Sequence, residues 1–143
     1  MKDKKGVLEL PMQYIIAIVV AGIAISLMSI AAYNLWKDYE LKKAIKEVKR
    51  IVDEAELIYT VGSEETNVAL DVNFPSSIKE IVFGSSSKYL ANRYYILMKW
   101  GENKSFYAKN VKFKKTILYS STKRISLELR EDEGERYVEI FPL

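Results

Sequence analysis

Hydrophobic and polar positions change rhythm twice along this chain. From Leu10 to Trp36 there are 27 residues without a formal charge. At ~1.5 Å per residue a helix of that length reaches ~40 Å, enough to cross a hydrocarbon core of ~30 Å. Beyond Lys37 the apolar residues thin to a single stripe, with Leu41, Ile45, Val48, Val52, Ala55 and Tyr59 at alternating spacings of four and three. Lys42, Lys43, Lys46, Glu47, Lys49, Arg50, Asp53 and Glu54 fill the other faces. That period predicts an amphipathic helix continuing from the apolar one. The second half of the stripe is expected to pack on the protein's own domain, and the first half to meet neighbouring helices.

After Gly62 the period drops to two. Val68, Leu70, Val72 and Phe74 alternate up to Pro75, and Ile78–Phe83 forms a short run before Gly84. Residues 93–100 alternate Tyr94, Ile96, Met98 and Trp100 against Tyr95, Leu97 and Lys99. Gly101-Glu102-Asn103-Lys104 reads as a turn, with residues 105–113 returning as its hairpin partner. Thr116–Tyr119 is another short run, and Ile125, Leu127 and Leu129 alternate before a turn centred on Gly134 that leads into residues 137–141. The prediction is an α+β protein: a long N-terminal helix, then a small antiparallel all-β head of six or seven strands, as one sheet or a sandwich.

Composition narrows the chemistry. The chain has 22 basic and 19 acidic residues, a net charge of +3, so no strong field points to nucleic acid. It has no cysteine and no histidine. A Ser-His-Asp triad, a Cys-His pair or a Cys/His zinc site cannot be assembled, and the head has no disulfide. A non-enzymatic protein without a cofactor is expected.

The apolar run is about twice the ~7–15 residues of a secretory signal, and it passes into the next helix without a turn. Lys4-Lys5-Gly6 stands just before it, with Glu9 at its start. A Lys-Lys-Gly at the edge of a long hydrophobic helix, with a nearby Glu, resembles the class III signal of archaeal type IV pilin-like proteins. The resemblance implies cleavage after Gly6 by a membrane-embedded prepilin peptidase, leaving Val7 as the new N-terminus. Residues 1–6 would then be a leader, 7–60 a membrane anchor that becomes the filament core, and 61–143 an extracellular head. It also implies an assembly role for Glu9. Many members carry that Glu at the fifth mature position, whereas here Glu9 is third and Pro11 holds the fifth. An all-β head after a long helix is likewise similar to archaeal pilins.

Within the span, Gly22 and Ser26 are small and four apart, a spacing that lets helix backbones approach in lipid. Pro11 lacks an amide donor, so it is harmless in a first turn and loosens a helix elsewhere. Three lysines precede the span and six basic residues lie between Lys37 and Arg50. Counting charges alone would place the C-terminal side in the cytoplasm; the Lys-Lys-Gly signal with Glu9 places the head outside. Asn103-Lys104-Ser105 is an N-glycosylation sequon at the predicted turn. The run Lys109, Lys112, Lys114, Lys115 and the acidic group Glu128, Glu131, Asp132, Glu133, Glu135 read as solvated surface. The expected partners are membrane lipid, a prepilin peptidase and other filament subunits. The alternative is a single-pass, membrane-anchored binding protein that does not polymerise.

Overall fold

A computed structural model describes residues 2–63, 65–85 and 90–143, with helix side chains described from residue 11 onward. The protein is α+β. Helix α1 (Lys2–Val61) is followed by strands β1 (Asn67–Asp71), β2 (Ile78–Phe83), β3 (Arg93–Met98), β4 (Asn103–Tyr107), β5 (Thr116–Leu118), β6 (Arg124–Asp132) and β7 (Glu135–Pro142). Two compact units divide the chain, residues 1–39 and residues 40–143.

The second unit contains two antiparallel sheets, one ordered β1-β6-β7 and the other β4-β3-β2-β5. Strand β3 shows how sequence alternation becomes a buried and an outer face. Tyr94, Ile96 and Met98 are buried, while Arg93 is exposed and Tyr95 and Leu97 are half-buried. Across the sheet, Ile81 pairs with Ile96 and Phe83 with Tyr94, which continues the buried face onto β2. Phe83 packs against Phe113 with ring centroids 5.2 Å apart, and Tyr94 against Phe106 at 5.5 Å.

Turn chemistry fixes the two tight hairpins, β6–β7 and β3–β4. Asp132 pairs with Glu135, so β6 and β7 are joined by two residues, Glu133 and Gly134, with φ of 52° and 83°. Two successive positive φ values make the mirror-image turn that suits twisted strands, and Gly134 takes its position without steric cost. The β3–β4 turn differs from the sequence reading. Gly101 (φ 96°) donates its amide to the Met98 carbonyl at 2.9 Å, and the Met98 amide reaches the Glu102 carbonyl at 2.8 Å. The turn is therefore Lys99-Trp100-Gly101, a three-residue loop closed by a left-handed glycine. Asn103 is already the first residue of β4.

The segment around Phe113 ties the sheets together. Phe113 exchanges hydrogen bonds with Ala91 at 2.8 and 3.3 Å. On its other side Val138 of β7 donates to the Lys112 carbonyl at 2.9 Å and accepts from the Lys114 amide at 3.3 Å. That parallel bridge covers part of an edge of β7 that would otherwise be open to another chain.

The helix from Leu41 onward belongs to this unit's core. Leu41, Ala44, Val48, Ile51, Val52, Ala55 and Ile58 are all buried, in one apolar cluster with residues of both sheets. The stripe packs on its own domain over its whole length, not only in its second half. Three helix carboxylates secure it. Glu40 accepts from Ser77 Oγ at 2.9 Å, Glu47 from the Asn73 amide at 3.2 Å, and Glu56 from the Lys109 amide at 2.9 Å. Arg50 adds a bond to the Asp71 carbonyl at 2.5 Å while holding Glu47 at 2.6 Å. Burial works against the Glu47 carboxylate, but the bonds from Arg50 and Asn73 and the charges of Arg50 and Lys46 outweigh it and hold its pKa below the ordinary value.

Candidate functional site

The feature most in need of a partner is the first unit. Every residue from Pro11 to Trp36 is exposed, including Ile15, Ile16, Ile18, Val19, Val20, Ile23, Ile25, Leu27, Met28 and Ile30. A helix that is apolar all round is stable only inside a protein bundle or a bilayer. By length and composition this helix can cross a membrane. Its two serines are satisfied internally: Ser26 Oγ donates to the Gly22 carbonyl at 2.7 Å and Ser29 Oγ to the Ile25 carbonyl at 2.8 Å. Such back-bonding removes the cost of placing a hydroxyl in hydrocarbon. Gly22 has open space around the position a Cβ would take, so it leaves a shallow site on the helix surface.

The span ends in an aromatic cluster that sequence reading passed over as part of the apolar run. Tyr33 and Trp36 stack with centroids 5.9 Å apart and planes 21° from parallel, and Lys37 Nζ lies 4.7 Å from the Tyr33 centroid. Aromatic rings with a polar tip, and lysines whose stem is apolar, concentrate where hydrocarbon meets headgroups. Tyr14 stands 19 residues before Tyr33 and 22 before Trp36. Those separations correspond to ~29–33 Å along a helix, the thickness of a hydrocarbon core. The signal was available in sequence as two aromatic positions one bilayer apart.

Pro11 lies inside α1, so it offers no amide to the preceding turn. The side chains of Lys4, Lys5, Gly6, Val7 and Glu9 lie outside the described residues. Asn103 is exposed on β4, an edge strand of the four-stranded sheet. The acidic group is only partly gathered. Glu128, Glu131 and Asp132 share a groove of about 480 Å³ with Glu65, Asn67 and Arg130. Glu128 is engaged by Arg130 at 2.7 Å and by Asn67 at 3.3 Å, and Arg130 also reaches Glu139 at 3.1 Å. Of the basic run, Lys114 pairs with Glu139 at 3.4 Å.

The fold thus defines a class: one long apolar helix leading into a small antiparallel β head, an architecture consistent with a generic pilin-like subunit. Comparison with known proteins adds no closer relation, since no protein family, curated protein or solved structure matches the chain.

Proposed function

We propose that the chain is a type IV pilin-like structural subunit, major or minor, of an archaeal cell-surface filament, not an enzyme. The observation that carries this is the helix of residues 11–36, apolar on all sides and exposed along its whole length, joined in sequence to a helix stripe that is core for a β head. In the precursor, lipid covers the apolar helix and the head lies outside. A prepilin peptidase removes residues 1–6, and the helices of neighbouring subunits then replace lipid. Close approach is favoured at Gly22, and Glu9 pairs with the new α-amino group at Val7 where water is scarce. Mass spectrometry of the native protein tests processing, with Val7 as the expected N-terminus. Glu9→Ala tests assembly: cleavage and insertion remain, and the protein is depleted from sheared surface filaments. An intact Met1 on the native protein, or its absence from the sheared fraction, sinks the reading. The aromatic cluster at Tyr33 and Trp36 favours one second reading, a membrane-anchored monomer whose head binds a ligand or an envelope component, and that reading predicts both of those results.

A further inference from the structure

Strands β3 and β4 pair with alternating hydrogen-bonded and open positions. The Met98 amide bonds to Glu102 and the Ala108 amide to Asn92, so even-numbered β3 residues hold the bonded sites. Leu97–Asn103, Tyr95–Ser105 and Arg93–Tyr107 are therefore the non-bonded pairs, in which side chains stand closest, with Cβ atoms ~4.5–5.5 Å apart. All six project from the outer face of the sheet, opposite to buried Tyr94, Ile96 and Met98. Across β2 and β5 the same face carries Val82 and Ile117, which pair in register with Tyr95 and with each other. The result is a low apolar strip in which half-buried Leu97, Tyr95 and Ile117 surround Val82, itself buried beneath them, with Asn103 at its edge. Asn103 is exposed, and its side-chain amide has no hydrogen-bond partner among the described residues. Ser105, the third sequon position, points to the same side and receives a bond from Arg93 at 3.3 Å, while Arg93 lies 5.9 Å from the Tyr95 ring.

We propose that Asn103 carries an N-linked glycan whose first sugars lie on this face, over Leu97 and Tyr95, making it a sugar-covered surface. A pyranose has one face of axial C–H bonds, which suits an aliphatic side chain beside an aromatic ring. Its hydroxyls can reach the Arg93 guanidinium at the far side of Tyr95. The strip is too narrow and too interrupted by Asn103, Ser105, Arg93 and Glu80 to resemble the apolar centre of a protein interface. Attachment needs an activated glycosyl phosphate donor. The sugar C1–O bond to phosphate breaks, the C1–N bond to Asn103 Nδ2 forms, the phosphate leaves with the bonding electrons and the amide gives up one proton. No oxidation is involved. The inference shares with the filament reading only an outward-facing head, because the mass of this peptide does not depend on whether subunits polymerise.

The test uses full-length protein from its native membrane. Peptide mass spectrometry should show a glycan mass on the segment containing Asn103, lost in Asn103→Gln and in Ser105→Ala and kept in Ser105→Thr. Hydroxyl-radical footprinting of the folded protein should then show loss of labelling at Tyr95 and Leu97 relative to Asn103→Gln, with Tyr119 labelled equally in both. An unmodified Asn103 overturns the site. A modified Asn103 with equal labelling of Tyr95 and Leu97 in the two proteins overturns the placement of the sugar.

Discussion

Cutting the chain at Asp53 should unfold the head, although every strand would remain. Such a fragment (53–143) loses Leu41, Ala44, Val48, Ile51 and Val52, all buried at 6% exposure or less. Leu41, Val48, Ile51 and Val52 are each worth ~1.5–3 kcal/mol as buried side chains, which makes ~6–12 kcal/mol before the exposed sheet surface is considered. A domain of this size has ~5–15 kcal/mol in total. The cut also removes Glu40 from Ser77, and the Glu47–Arg50 pair from Asn73 and Asp71. A fragment starting at Lys37 keeps all of these. Urea titrations followed by far-ultraviolet circular dichroism should give a cooperative transition for 37–143, and none, or one displaced to very low urea, for 53–143. Coincident midpoints for the two fragments would refute the assignment of the first half of the stripe to the core.

Trp36 offers a measurement of depth: with Trp100→Phe it becomes the sole tryptophan, and bromine placed near the headgroups should quench its emission more than bromine near the bilayer centre. The opposite order would place the aromatic cluster inside the hydrocarbon, and no quenching would mean that the helix does not enter the bilayer. Glu47, whose pKa is depressed in the fold, contributes stability that is complete above the unfolded carboxylate pKa of ~4.3 and is lost as pH falls through its lower folded value. Glu47→Gln should thus lower the melting temperature at pH 7 and narrow the gap to wild type near pH 3; a pH-independent gap would contradict this. Gly134→Val should cost ~1–2 kcal/mol, because a branched residue must adopt φ 83° there, and an unchanged urea midpoint would show that the turn rearranges.

Residue periodicity carried most of the fold. The limits of β2 are those read from sequence, and Tyr94, Ile96 and Met98 take the face their alternation requires, because a strand has only two sides. One place was misread for a physical reason. Gly101-Glu102-Asn103-Lys104 has the composition of a turn, yet one glycine with positive φ closes a loop that lies two residues earlier, and the polar residues after it begin an edge strand where solvent is tolerated. The anchoring by Glu40, Glu47 and Glu56 lay outside the sequence reading, because their partners are backbone amides and a hydroxyl more than 25 residues away, which periodicity does not encode. The stacking of Tyr33 on Trp36 depends on side-chain rotamers, which residue spacing does not specify.

The placement of the buried stripe on α1 has a consequence for biosynthesis. A chain leaves the ribosome N-terminus first, so residues 41–58 are made before any strand exists to cover them. β1 must then wait for β6, its partner in register, and the three-stranded sheet is complete only with β7. At ~5–20 residues per second, the roughly 80 residues from Ile58 to the end of β7 take ~4–16 s to synthesise. Throughout that interval the newborn helix exposes its sticky side, and whatever shelters it (lipid surface, a chaperone or another nascent subunit) decides how much of the protein reaches its native fold.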